Sequence, residues 1–409
     1  AVTVSRLYGV TGDGGTPSET LFELDMSDAS TTLVLTLGNG DDGEEIAYNP
    51  DDGLLYHASG YSTKVLETIH PGTLAITPVT SSGTWPDGIS GLTYAGSGDL
   101  LAAHRFGSVG LSNITTAGVY TAIGATDAVY GGLAFIGSTL YAADQKDHVL
   151  RTINPATGAT LTSVPVTLTG YVVPGVLGLA TNPVDDTLWA LLKPADSAIF
   201  NPGYSLLVTL NPATGDATLV GITDVEGMAG IAFVSGEGYT VTPSVGTGPG
   251  SIAPSSPQLV ISGQTTSFTL TTDPGYVIES VGGTCGGTLD GDIFTTAAVT
   301  GNCTVVANFE PEPTTILYGV TGDGGFPAET LFRIDTDDAS TTLVLTLGNG
   351  GDGEEIAFNR DDGLLYHASG PSDPNAPEPE PKILEKIDLD SLVVTNIPLS
   401  GDTTKEVIG

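Results

Sequence analysis

A stretch of 54 residues occurs twice in this chain of 409. Leu7–Gly60 reads LYGVTGDGGTPSETLFELDMSDASTTLVLTLGNGDDGEEIAYNPDDGLLYHASG, and Leu317–Gly370 repeats it at a constant offset of 310 with nine substitutions. A copied unit of this kind folds by stacking on its neighbours, so the repeat governs every other inference about the fold. It points to a modular chain built by tandem duplication, an organisation that suits surface structures more often than enzymes.

Along the chain, short apolar runs alternate with turns every eight to twelve residues. Leu33–Leu37, Gly132–Phe135 and Leu206–Leu210 are such runs, and Asn-Pro-x-x-Gly segments at Asn49, Asn154 and Asn211 separate them. Asn-Pro and Thr-Gly punctuate tight turns. No helix-period segment of useful length occurs, so the chain is predicted to be all-β. A weaker phrase recurs every roughly 45 residues, the length of a four-stranded propeller blade. It starts with a small-residue strand at Glu45–Tyr48, Ile89–Leu92, Gly132–Phe135, Leu177–Ala180 and Ala229–Phe233. The last occurrence has a first strand only, and the segments from Leu7, Leu21 and Thr32 supply the complementary three. The pattern therefore predicts a five-bladed β-propeller over residues 1–236, closed by Ile231–Val234 beside the N-terminal strands; closure removes exposed sheet edges.

Residues 237–310 read differently. They carry a Gly-rich start ending Ile252-Ala253-Pro254, then Thr266-Ser267-Phe268, Asp273-Pro274-Gly275-Tyr276, Cys285, Cys303 and a closing Val305–Phe309. This segment, under a fifth of the chain, resembles the divergent internalin B-repeat family of bacterial surface proteins. The resemblance implies a small β-grasp-like or sandwich-like spacer in a secreted multidomain protein, without catalysis. A Cys285–Cys303 bridge would close a loop of about 17 residues, contributing roughly 3 kcal/mol in the chain-entropy model; the alternative is two free thiols. Glu310-Pro311-Glu312-Pro313 reads as a stiff acidic linker. The propeller phrase restarts at Ile316, and residues 311–409 yield two blades, the second with an inserted loop, Pro371–Pro381. Two blades cannot close a ring. Sequence beyond Gly409, a seven-bladed ring shared with residues 1–236, or another chain would complete it. The expectation is a segment of a longer polypeptide, with Ala1 following a cleaved signal peptide.

The formal net charge is −37, with only eleven Lys and Arg. That balance disfavours nucleic acid and anionic bilayers as partners and fits solubility in salty water and cation binding. No apolar run is long enough to span a membrane. Two cysteines close in sequence fit an oxidising compartment.

The acidic loops are the candidate sites. Asp13 recurs as Asp323; Asp42, Glu44 and Glu45 recur as Asp352, Glu354 and Glu355, with Gly351 in place of Asp41; Asp51 and Asp52 recur as Asp361 and Asp362. Calcium takes six to eight oxygens, and Gly-rich loops let the backbone approach it. The spacing is not that of an EF-hand, and Asp-Gly is also a routine hairpin turn, so calcium ligation and turn chemistry both stand. Glu45, Asp87 and Glu226 occupy equivalent blade starts and would converge on one channel mouth, as cation ligands or as solvated residues. Asp144 and Asp147 form a further loop pair. The five histidines fit no HExxH, and no GxSxG elbow precedes a helix. His57 and His367, the same repeat position, read as packed strand members, and Trp85 and Trp189 as packing anchors.

The expectation is therefore a non-enzymatic bacterial extracellular or cell-surface protein: an adhesin, or a filament subunit associating with itself head to tail through strand pairing, with Ca2+ as a candidate bridging ion. A propeller module binding a glycan or a host protein, and a calcium-dependent propeller hydrolase, are the alternatives.

Overall fold

The computed structural model describes residues 2–37, 44–60, 64–83, 88–104, 110–126, 128–173, 175–193, 203–322, 325–347, 355–369 and 383–399. The chain divides into two compact units, Ala1–Pro311 and Glu312–Gly409. Among the described residues there is no helix, and so none long and apolar enough to cross a membrane.

The first unit opens with β1 (Val2–Thr16), β2 (Thr20–Leu24) and β3 (Thr31–Thr36), an antiparallel meander. Three four-stranded antiparallel sheets follow. They are β4 (Glu45–Asn49) to β7 (Ile76–Pro78) through β5 (Leu54–Ser59) and β6 (Val65–Ile69); β8 (Ile89–Gly96) to β11 (Tyr120–Gly124) through β9 (Asp99–His104) and β10 (Leu111–Thr115); and β12 (Tyr130–Ile136) to β15 (Thr160–Pro165) through β13 (Thr139–Asp144) and β14 (Val149–Ile153). After the short β16 (Thr167–Leu168) come β17 (Gly175–Thr181), β18 (Leu188–Lys193), β19 (Tyr204–Leu210) and the 30-residue β20 (Asp216–Val245).

Strand β20 pairs in turn with three sets of partners. Its first part pairs with β19, from Ala217 opposite Leu210 to Glu226 opposite Tyr204. Its middle pairs with β1, placing Phe233 opposite Leu7, Ala232 opposite Tyr8 and Ile231 opposite Gly9. The closing strand predicted from the Gly-Ile-Ala-Phe phrase thus completes the N-terminal meander. The innermost strands touch in a cycle: β4 packs on β8, β8 on β12, β12 on β17, β17 on β20, and β20 on β4. This closed ring of small antiparallel sheets is a β-propeller.

The recurring small-residue phrase has its cause here. The innermost strands approach so closely that an added Cβ at Gly132 would lie 2.5 Å from the Leu179 nitrogen, at Gly178 3.0 Å from the Ala229 oxygen, and at Gly230 2.9 Å from the Glu45 Cα. Only glycine lets adjacent blades meet at the axis. Moving outward, second strands such as β5 and β9 are buried nearly throughout, since sheets pack on both of their faces, whereas the outer β7 is exposed at all three residues. Apolar clusters fill the gaps between neighbouring sheets; one joins Tyr8, Val10 and Leu21 to Ile46, Leu55 and Ile69. The Asn-Pro-x-x-Gly signature closes hairpins. At Asn154 the side-chain oxygen accepts from the Ala156 N–H at 2.9 Å, and Gly158, at φ 74°, donates its N–H to the Asn154 carbonyl at 2.8 Å.

The end of β20 enters a second module without a break. It is built with β21 (Gly250–Ala253), β22 (Gln258–Ile261), β23 (Ser267–Thr272), β24 (Tyr276–Gly283), β25 (Gly287–Asp290), β26 (Ile293–Thr296) and β27 (Cys303–Pro311). β22 and, in parallel, β27 pair with β20, and β24 pairs with β27; β21, β23, β26 and β25 form a second sheet. Val241, Val260, Phe268, Phe294, Val305 and Phe309 fill the space between, as a sandwich requires. Cys285 and Cys303 form a disulfide.

The second unit holds β28 (Leu317–Thr321), β29 (Thr330–Ile334) and β30 (Thr341–Thr346) as a three-stranded sheet, and β31 (Glu355–Asn359), β32 (Leu364–Ser369), β33 (Ile383–Asp388) and β34 (Val393–Asn396) as a four-stranded one. Registers copy the first unit: Leu317 faces Ile334 as Leu7 faces Leu24, and Glu355 faces Ala368 as Glu45 faces Ala58. Its core centres on Leu331, Leu347, Leu365 and Ile387.

Candidate functional site

Blade geometry places the start of each innermost strand beside the end of its second strand. In the first unit these ends gather at one mouth of the ring, around a cavity of about 490 Å³. Glu44, Glu45, Ser90, Gln145, Lys193 and Tyr204 supply its polar lining. Glu45 is buried; loss of water, with the nearby Glu44 charge adding to it, pushes its carboxyl well above the usual carboxylate range. Glu226, another predicted mouth residue, is half-buried in β20 opposite Tyr204.

Behind this mouth lies a fully buried polar cluster. His57 on β5 sits between two carboxylates: its Nδ1 is 2.9 Å from Glu67 Oε1 on β6, and its Nε2 pairs with Glu44 Oε2 just before β4. Ser59 Oγ donates to Glu44 Oε1 at 2.5 Å. All four residues have 0 % exposure. Burial works against a charged imidazole, but the hydrogen bonds and charges of Glu44 and Glu67 outweigh it and raise the His57 pKa to about 9. His57 is therefore an imidazolium at neutral pH, both of its N–H groups donating to carboxylates. The cluster ties the first three strands of this blade together. It is not a nucleophile–base arrangement, because the Ser59 hydroxyl is directed to Glu44 rather than to a free imidazole nitrogen.

The second copy repeats the cluster where it is described. His367 Nδ1 is 3.3 Å from Glu385 Oε2, and both residues are wholly buried with Ser369. His104 on β9 shows the opposite chemistry. It is buried, neither ring nitrogen has a hydrogen-bond partner among the described residues, and burial followed by the Lys64 charge lowers its pKa to about 4.

The predicted acidic residues separate into distinct environments. Glu44 and Glu45 come together at the mouth. Asp52 closes a hairpin: its Oδ1 accepts from the Leu54 N–H at 3.0 Å, and its Oδ2 from Asn49 Nδ2 and the Tyr56 hydroxyl, each at 2.8 Å. Asp51 accepts the Tyr94 hydroxyl from the next blade. Asp361 and Asp362 repeat the turn, with Tyr366 donating to Asp362 at 2.7 Å. Glu355 opens β31 and is exposed. Asp144 is buried against the Arg151 guanidinium at 2.7 Å, and Asp147 shares that guanidinium at 2.8 Å. Asp41, Asp42, Asp323, Asp352 and Glu354, the Asp13 side chain, Asp87 and Trp85 lie outside the described residues. Among those described, no group of three or more His, Cys, Asp or Glu is placed to hold a metal ion. Trp189 packs edge-on against Phe233, ring centroids 5.9 Å apart.

The residue that sequence reasoning missed is Glu67. Its signal was present: Lys64-Val65-Leu66-Glu67 recurs as Lys382-Ile383-Leu384-Glu385, at an offset of 318 because the inserted loop displaces it. A carboxylate in the same strand phrase of both copies is the partner that a buried histidine needs.

Residues 239–313 match the family model of the divergent InlB B-repeat domain, the module built on the end of β20. No curated protein matches the chain. Similar solved structures include a nidogen/laminin complex (11 % identity, 56 % of this chain and 98 % of that one, TM-score 0.38). Another is a Myxococcus xanthus glutaminyl cyclase (20 % identity, 42 % and 76 %, TM-score 0.32). A third is a Bacteroides thetaiotaomicron protein of unknown function (12 % identity, 53 % and 64 %, TM-score 0.36).

Proposed function

We propose that this chain is an extracellular structural repeat protein, a cell-surface adhesin or the subunit of an extracellular filament, whose modules associate through strand pairing and apolar packing. The observation that carries this reading is the second copy: 54 residues repeated with nine substitutions pair their strands in the same register on either side of a B-repeat module. A duplicated sheet is a building unit, and building units serve extension. In this reading the ring of residues 1–236 has five blades, and residues 311–409 begin a second ring of the same kind. The disulfide and the B-repeat family support a location outside the cytoplasm. The buried histidine has both nitrogens committed to carboxylates, so the cluster favours a structural role over an enzymatic one. Charge of −37 keeps modules from indiscriminate aggregation, with divalent ions such as Ca2+ bridging acidic loops at junctions.

A second reading follows from the mouth cavity, whose mixed polar lining suits recognition of a glycan or protein loop. Negative-stain imaging and light scattering of the purified chain, across salt and calcium concentrations, test the first reading. Ordered end-to-end assemblies are expected; isolated particles under every condition would overturn it.

A further inference from the structure

Strand β1 has two partners, β2 on one edge and the Gly230–Gly238 part of β20 on the other. Its near-identical copy β28 pairs with β29 alone among the described residues. The consequence shows in burial. Leu7, covered by the β20 side of the sheet, has 0 % exposure, whereas Leu317 at the same repeat position has 48 %. Gly9 lies under Met228, where an added Cβ would strike the thioether. At Gly319 an added Cβ would meet only Ile334, on its own sheet. The first sheet's core also takes in Ala232, Val234 and Ile261, for which the second sheet's core has no counterpart.

We propose that the free edge of β28 is a docking site for one kind of partner: an extended strand of the Ala229–Val234 type, Ala-Gly-Ile-Ala-Phe-Val, supplied by another module of this repeat. The inference rests on the modular reading above and names its contact. A sheet edge with unpaired N–H and C=O groups is a template for strand addition. What makes this edge selective is that the chain contains its own example, the pairing of β1 with β20. The register follows from β1: Phe233 of the incoming strand faces Leu317, Ala232 faces Tyr318, Ile231 faces Gly319 and Gly230 faces Val320. Gly319 leaves room for the side chain that Met228 supplies in the first ring. The six residues of the incoming segment carry no charge, so they add apolar surface to a strongly acidic molecule without adding repulsion.

The test uses the full chain and a labelled synthetic peptide spanning Asp224–Gly238. Saturable one-to-one binding is expected, with amide exchange at Leu317–Thr321 slowed roughly tenfold or more at saturation. A peptide carrying Ile231→Asp should lose both effects. As a register check, Tyr318→Cys in the chain should cross-link to a peptide with Ala232→Cys faster than to one with Gly236→Cys. No binding, binding that leaves Leu317–Thr321 exchanging freely, or equal binding of the Ile231→Asp peptide would overturn the proposal. The two readings fail separately: end-to-end assemblies whose β28 amides stay unprotected refute this contact alone, and peptide capture by particles that never assemble refutes the assembly reading alone.

Discussion

The two copies of the 54-residue segment form the same internal strand pairings in very different surroundings. Hydrogen-bond register, turn geometry and the His–Glu contact recur, while burial does not: Glu45 is buried and Glu355 exposed, and Phe358 is 55 % exposed where Tyr48 is half-buried. Local sequence thus specifies the sheet, and neighbouring sheets decide what the sheet is worth. Hydrophobic stabilisation scales with the area taken from water, so the same side chain contributes differently in the two copies.

The largest effect should come at the buried histidine–glutamate contact that both copies share. His57→Leu leaves Glu44 and Glu67 facing each other in a dry interior, and removing one partner of a buried ion pair costs about 3–5 kcal/mol. His367→Leu removes the matching contact to the buried Glu385 and should destabilise its own copy as well. Urea unfolding followed by hydrogen exchange reports each copy separately; a His57 variant as stable as wild type would show that the cluster is incidental.

Next comes the contrast that exposure predicts. Leu7→Ala should cost about 2–5 kcal/mol, the usual range for a fully buried leucine. Leu317→Ala should cost under about 1 kcal/mol, because half of that side chain already lies in solvent. Equal losses would break the comparison.

The two buried histidines predict a pH profile with opposed limbs. The folded pKa of His57, about 9, lies above its ordinary value of 6.5, so its contribution is complete below about pH 6.5 and is lost as pH rises through about 9. His104 is lowered to about 4, so folding opposes its protonation and stability falls as pH drops from about 6.5 to 4. The raised Glu45 carboxyl adds a further decline above the ordinary carboxylate range, superposed on both. The separating experiment is the pH dependence of unfolding free energy in single variants: His104→Leu should flatten the acid limb and leave the alkaline one, and a His57 variant should do the reverse.

The legible part of this molecule was whatever the backbone writes periodically. Glycines at the axis, Asn-Pro-x-x-Gly turns and the unfinished phrase at Ala229–Phe233 exposed the sheets and their closure, because close approach and tight turns admit few residue types. The continuity of β20 from the ring into the B-repeat module was not legible. The change of composition at residue 237 reads as a boundary, whereas the backbone stays extended from Asp216 to Val245 and only its partners change. The polar cluster was half legible. His57 stood out as a repeated residue, but its charge state depended on Glu67, which the inserted loop shifts out of the 310-residue register. The acidic loops show the remaining limit: Asp52 and Asp144 both read as loop carboxylates, yet one closes a hairpin and the other pairs with Arg151.

The smallest effect tests locality itself. Asn49 holds its hairpin with atoms from its own turn: its side-chain oxygen accepts the Asp51 N–H at 3.0 Å, and Gly53 donates to its carbonyl at 2.9 Å. Asn359 does the same with Asp361 and Gly363, at 3.0 and 2.9 Å. Replacing either by Ala removes that bond together with the side-chain amide's bond to the turn aspartate, Asp52 or Asp362, and should cost about 1–2 kcal/mol, the net worth of one or two such hydrogen bonds. The two losses should agree, although Asn49 is buried and Asn359 only partly so. Exchange rates at the Gly53 and Gly363 amides in the two variants measure this directly. A loss at Asn49 several times that at Asn359 would mean that the turn draws its stability from the surrounding ring, and the separation of local register from neighbour-dependent burial would then fail at the one place where it should hold best.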